Sequence, residues 1–269
     1  MSASALPYWR RSVAARFGCI ALMMLPALMA HGWVLDARLP MRVGVLTGVA
    51  LLVALTMLMT GAHAWKERYA VLLDAFIHAA LLAALWPPAI ALWPAAIALA
   101  LALIAQRLLG GWSVNPFPPA LLALAIAMPL ARSLSGEDFP PPLVSLLDAG
   151  FVLAAWPAAG LALILLRLWP ARAPLAFALP ATLACISGGI PAMSFVTTAI
   201  VAAFALADTR HLPATRSGQA LVGAFAGLGT AALWLDGAPP VAIAYPVLLA
   251  CALTPWIERL TLPRATPSP

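Results

Sequence analysis

"SFVTTAIVAAFALADTRHLPATRSGQALVGAFAGLGTAALW", Ser194 to Trp234, sets two apolar runs on either side of a polar segment that carries Asp208, Arg210, His211, Pro213, Arg216 and Gln219. The runs have the composition of membrane helices, and the segment between them reads as a turn at one face of a bilayer. Asp208 and Arg210 end the first helix, and Pro213 prevents its continuation. Thr215 or Ser217 is available to cap the second. On these residues alone the segment is a solvated connector.

The rest of the chain agrees about the solvent. Of 269 residues, 64% are hydrophobic and 9% charged, with a mean hydropathy of +0.99. A water-soluble domain carries about 25% charged and about 45–50% apolar residues, so a soluble fold is excluded. The expectation is an all-α, polytopic integral membrane protein whose residues 1–269 form a single transmembrane domain. Cys19, Cys185 and Cys251 each lie inside an apolar run without paired spacing, and read as small packing residues. His31, His63, His78 and His211 are scattered, and no metal site is legible. The net charge of +6 does not indicate nucleic acid, because the arginines are spread thinly and topology accounts for them.

Ten candidate spans follow, at about 13–31, 43–63, 70–86, 89–105, 119–131, 146–168, 173–187, 191–206, 218–235 and 241–257. Pro26, Pro94, Pro129, Pro157, Pro180 and Pro246 fall within or near them and are expected to kink helices rather than abolish spans. "WPP", Trp86 to Pro88, joins the third and fourth spans into a tight hairpin. With the N-terminus in the cytoplasm, Arg10, Arg11, Arg16, Lys66, Arg68, Arg107, Arg167, Arg172, Arg210, Arg216, Arg259 and Arg264 fall inside. Only Arg38, Arg42 and Arg132 fall outside. Twelve against three is the bias of a multi-pass protein with both termini cytoplasmic. Asp36, Glu137, Asp138 and Asp236 then lie outside. The first apolar run lacks a good cleavage site and is kept as a span. The bilayer itself is one partner, and a bacterial inner (plasma) membrane is the expected location.

Polar residues within spans admit two readings each. Asp74 and His78 stand four apart on one face of the third span. An ionisable pair there is expensive unless it faces protein or water, which makes a cation or proton pathway one reading. In the other, Asp74 snorkels one turn from the cytoplasmic end and His78 bonds a neighbouring helix. Asp148 reads as a headgroup contact. Gly218, Gly223, Gly227 and Gly229 allow close helix approach, either within the subunit or to a partner. Trp33, Trp86, Trp93, Trp112, Trp169, Trp234 and Trp256 sit near span ends and read as interfacial anchors.

The opening stretch also resembles the C-terminal part of the RnfD/NqrB family, membrane components of the Rnf electron transport complex and of the related Na+-translocating NADH:quinone reductase. Thr198, Ala202, Phe204, Asp208, Pro213, Thr215, Arg216, Gly218 and Gln219 match that family in register, while Thr209 replaces a Pro. A second match lies at "GGWSVNPFPPALLALAIAMPLA", Gly110 to Ala131. There Gly110, Gly111, Asn115, Phe117, Pro119 and Ala120 fit, and Pro118 stands where the family has Asn. Pro118 removes an amide side chain and a backbone donor from that turn. "VLLACALTPWIERLTLPR", Val247 to Arg264, is similar to the family's closing helix, with Pro255 and Glu258 in place. The resemblance is strongest over 107–131 and 187–264, and the N-terminal half matches in hydropathy and in its hairpin.

The family's long external segment, which offers a Thr for phosphoester attachment of FMN, is absent. In its place stands "RSLSGEDFPPP", Arg132 to Pro142, which contains no Thr. Covalent FMN is therefore not expected. The resemblance implies a membrane component of an Rnf-type complex that couples flavin-linked electron transfer to Na+ or H+ movement, with the complex's other subunits as partners. It implies noncovalent FMN or riboflavin, for which Asn115 and Phe117 are the carried-over contacts, and a motif loop of Asp208, Pro213, Thr215, Arg216, Gly218 and Gln219. The alternative is a stand-alone transporter or scaffold built on the same helices.

Overall fold

The computed structural model describes residues 13–60, 65–109, 116–135, 146–206 and 208–262. Eleven α-helices and no strand occur among them: α1 (Val13–Val34), α2 (Leu39–Thr60), α3 (Trp65–Leu85), α4 (Trp93–Leu108), α5 (Pro119–Ser135), α6 (Leu146–Leu165), α7 (Arg172–Ser187), α8 (Ala192–Ile200), α9 (Arg216–Leu235), α10 (Ala244–Ala252) and α11 (Thr254–Thr261). α8 continues directly into a π-helical turn, Val201–Ala205. Apolar helices therefore occupy all ten expected places, and the fold is an all-α polytopic membrane protein. Among the described residues, α1, α2, α3 and α9 are long and apolar enough to cross a membrane, or five spans if a bent pair counts as one. α4, α5, α7 and α8 with its π turn have 10–17 residues, short of the roughly 20 that a full crossing takes, whereas α6 has 20.

The bent pair corrects the tenth span. Pro240–Ala252 and Thr254–Thr261 meet at 47° across Leu253, where Pro255 supplies no N–H to carry the hydrogen-bond ladder over the break. α11 buries none of its residues and exposes Trp256 and Leu260. Of the six prolines, Pro26, Pro129, Pro157 and Pro180 lie inside continuous helices. Pro94 and Pro246 fall instead in the first turns of α4 and α10, where a missing N–H costs nothing.

The helix pairings repeat. α1 packs on α3, α2 on α3 and α4, and α4 on α5; the same order returns as α6 on α8, α7 on α8 and α9, and α9 on α10. Five helices per half is an odd number, so for helices that alternate in direction the second half runs inverted relative to the first. α1 against α6 joins the halves, as does a smaller contact between the equivalent helices α3 and α8.

The most extensive pairing is α7 with α9, and it decides the glycine series. A Cβ on Gly223 would lie 2.2 Å from the Ala173 carbonyl oxygen, and one on Gly227 2.5 Å from that of Phe177. Gly229 faces Pro246, and Gly218 faces Thr215, Pro213 and Thr261. All four glycines are used for packing within this chain, which removes the partner-helix reading. Trp33, Trp93 and Trp256 are exposed as expected of anchors, whereas Trp86, Trp169 and Trp234 are buried. Trp86 turns inward because its Nε1 donates to the Ile90 carbonyl across the hairpin at 3.3 Å. Trp112 lies outside the described residues, as does the side chain of Asp148.

Candidate functional site

Asp74 is the tenth residue of α3 and is 3% exposed. The helix begins at Trp65 rather than near residue 70, and the carboxylate is enclosed by protein instead of extending along the helix to its end. Its partners come from three directions. His78, one turn on, brings Nε2 to 3.4 Å from Asp74 Oδ1. Gln106 of α4 donates from Nε2 to Oδ2 at 3.4 Å. Arg210 donates from Nη2 to Oδ1 at 2.6 Å, from 136 residues away in the chain.

Arg210 is held in place by Asp208. The π turn ends α8 at Ala205, and a short 3-10 turn, Thr209–His211, follows. There the Arg210 backbone N–H donates to Asp208 Oδ1 at 3.0 Å and its Nε to Oδ2 at 2.8 Å, with Nη2 also bonded to Oδ2. This Asx-type turn explains how an ionic segment folds back onto the helices. His211 Nε2 lies 3.5 Å from Asp208 Oδ2, and the His211 residue is 2% exposed. The Arg210 guanidinium rests 5.0 Å above the Phe17 ring. Arg16 of α1 lies close enough to feel the charges of Asp208 and Arg210, and its Nη2 donates to the Leu168 carbonyl at 2.6 Å.

The first half of the expected solvated connector is thus turned inward, with Asp208 and Arg210 half-buried and His211 buried, and it joins the Asp74–His78 pair in one ionic cluster. The physical reason is charge pairing: one guanidinium between two carboxylates satisfies groups that would otherwise be expensive to bury. Burial works against ionisation of Asp208, but Arg210 and then His211 outweigh it and hold its carboxyl well below the usual carboxylate range. Burial likewise opposes the charge on Arg210, and the two aspartates more than offset it. A cavity of about 40 Å³ adjoins Asp74, lined also by Gln106 and Arg107 and by apolar residues of α2, α3 and α4. That is room for at least one water molecule.

The second half of the loop is structural. Thr215 caps α9, its Oγ1 accepting from the Gly218 N–H at 3.1 Å. Gln219 Nε2 donates to the Pro213 carbonyl at 3.2 Å, and the Ala214 N–H donates to Glu258 Oε1 at 3.2 Å. Thr215 and Thr261 share a hydroxyl hydrogen bond. Pro213 is buried, whereas Arg216 and Ser217 are exposed.

The carried-over flavin contacts do not join the cluster. Asn115 lies outside the described residues. Phe117 packs against the hydrophobic core, and Pro118 offers its carbonyl to the Leu121 and Leu122 N–H groups that start α5. Phe117 lines none of the cavities beside α2–α4, α6–α8 and α5–α10. Ser133 spends its hydroxyl on the Leu130 carbonyl at 2.9 Å. Among the described residues no group of three or more His, Cys, Asp or Glu residues is placed to hold a metal ion.

Sequence reasoning missed Gln106, Arg16 and the inward role of His211. Gln106 had a signal, as an amide in an otherwise apolar helix. Arg16 and His211 had none beyond their charge or ring.

The family model described as "NQR2, RnfD, RnfE family" matches residues 2–134 and 141–266. The match includes the N-terminal half, which hydropathy and the helical hairpin had linked to the family, and its two parts flank residues 135–140 within Arg132–Pro142. No curated protein matches the chain.

Proposed function

Because the chain belongs to the NQR2, RnfD, RnfE family, we propose that it serves in a bacterial inner membrane as part of an Rnf-type complex that couples flavin-linked electron transfer to the movement of Na+ or H+. The observation that carries this reading is the contact of Asp74 with Arg210. It ties an ionisable residue of a membrane helix to the family-motif loop at Asp208, at the contact between the equivalent helices α3 and α8. Buried ionisable groups at such a repeat interface, beside a broken helix end, are where transporters handle ions.

In this reading Asp74, with Gln106, receives the ion or proton from the small cavity. Arg210 offsets one of the two negative charges of Asp74 and Asp208, and His78 and His211 stand within reach of the carboxylates to take or give a proton. Replacing Asp74 with Asn, in membranes that contain the whole complex, is expected to slow redox-driven uptake of sodium or protons at least about tenfold. Uptake at the wild-type rate overturns the assignment of Asp74.

Any flavin held by this chain is bound noncovalently in the proposal. Acid precipitation of the purified protein is expected to leave yellow colour in the supernatant; colour retained in the pellet refutes this.

One observation favours a scaffold or stand-alone transporter instead: Asp74 is already engaged in an ion pair with Arg210. Purification without sister subunits and without flavin, together with normal uptake by Asp74→Asn, selects that reading.

A further inference from the structure

A groove of about 470 Å³ runs between α6, α7 and α8. Its floor is shallow because the residues there are small: Ala158, Gly160, Ala178, Ala199, Ala202 and Ala203. Gly160 lets α6 approach so closely that a Cβ there would lie 2.8 Å from that of Ala203. Leu161 and Leu175 stand exposed at its rim. The Thr198 hydroxyl, on one wall, is spent on the Ser194 carbonyl at 2.7 Å. Along α6 the groove extends from Leu153 to Ile164, about 16 Å at the helical rise. That length is close to one leaflet of a hydrocarbon core about 30 Å thick.

The groove ends at Trp169 and Pro174, beside the turn that joins α6 to α7. α6 closes with the Leu168 N–H donating to the Leu163 carbonyl at 2.9 Å and the Arg167 N–H to that of Ile164 at 2.8 Å. This closure puts Arg167 at φ 55, the one non-glycine residue with positive φ among those described. Glycine holds that position at least strain, and here an arginine occupies it. Arg167 is exposed, as is Arg172 at the start of α7. Neither has an acidic partner among the described residues. No side chain caps the N-terminus of α7, which leaves its first N–H groups facing the same turn.

We propose that this groove is a binding site for one anionic phospholipid of the leaflet on the Arg167 and Arg172 side, with an acyl chain along α6 and the phosphate at the two arginines. The apolar walls fit a hydrocarbon chain, the length fits a single leaflet, and two exposed arginines in the turn at the groove's end favour an anionic headgroup over a zwitterionic one. The groove's lining includes none of Asp74, His78, Asp208 and Arg210, and the proposal does not rest on the electron-transfer reading.

The test uses purified full-length protein in detergent with phosphatidylglycerol or phosphatidylcholine added, and counts retained lipid by native mass spectrometry. The variant Arg167→Gly with Arg172→Gln keeps the turn, since glycine adopts the observed φ freely. It is expected to lose phosphatidylglycerol about tenfold or more and to leave phosphatidylcholine unchanged. In parallel, phosphatidylglycerol with brominated acyl chains should quench tryptophan fluorescence, and Trp169→Phe should remove the quenched part. Wild-type retention of phosphatidylglycerol by the arginine variant, or equal retention of the two lipids by the wild type, overturns the proposal. So does quenching that Trp169→Phe leaves in place, or displacement of the brominated lipid by a quinone.

Discussion

Arg210 has two carboxylate partners, Asp74 buried and Asp208 half-buried, and removing it isolates both. Arg210→Ala leaves Asp74 and Asp208 without the guanidinium, and uncompensated burial of charge costs about 3–5 kcal/mol. The expected outcome is a markedly lower melting temperature in detergent, read by loss of the monodisperse peak after heating. Asp74→Asn in the same chain should recover part of that loss, because the amide tolerates the missing cation. A double-mutant cycle then yields a coupling between two residues 136 positions apart; additive effects would show that the contact does not form. Asp74 and His78 were legible as a pair because four-residue spacing is local information. Their partner was not, since nothing in "DTRHLP" distinguishes an arginine that faces water from one that folds inward. Arg42 gives the same lesson at another site. It stands among the three cations that topology places outside, yet it is buried, 2.8 Å from Asp36 Oδ2 and donating to the Trp86 carbonyl at 2.8 Å. Its position reflects an ion pair rather than the charge rule.

At the scale of helices, the tightest fit is α9 on α7. Gly227 meets the Phe177 carbonyl oxygen and Pro180 Cγ at 2.5 and 2.6 Å from where a Cβ would stand, and two backbones cannot both yield. Gly227→Ala is therefore expected to cost about 1–3 kcal/mol and to lower the yield of folded protein. Gly48, whose added Cβ meets nothing within 4 Å, serves as the control and should tolerate alanine. Equal yields for the two variants would mean that α7 and α9 do not pack this way. Span positions were readable because long apolar runs admit few alternatives, but which helix lies against which was not, since a small-residue stripe has the same appearance at an internal or an external contact. The bend before α11 and the π turn after α8 were likewise hidden, because both are decided by what packs beside them.

For the whole molecule, the repeated order of helix pairings and the bias of positive charge make a joint claim about direction, and α9 is the ruler that tests it. It runs from Arg216 to Leu235, 20 residues, about 30 Å at the helical rise and so about one hydrocarbon core. Ser217 and Asp236 stand exposed at its two ends. The three native cysteines are half-buried or buried, and replacing them leaves a background in which a single new thiol reports its own position. Ser217→Cys is expected to react with a membrane-impermeant maleimide only after the cell is opened, because its end of α9 belongs with the cytoplasmic arginines. Asp236→Cys should react in intact cells. Charge alone leaves room for a reversed protein, and the helix pairings alone leave both orientations open; only the two labels together fix the direction of α9 and, through the inverted halves, of the helices that pack with it. Labelling of both thiols from one face would mean that α9 does not cross, and the ionic cluster would then lose the membrane depth on which its role in ion movement depends.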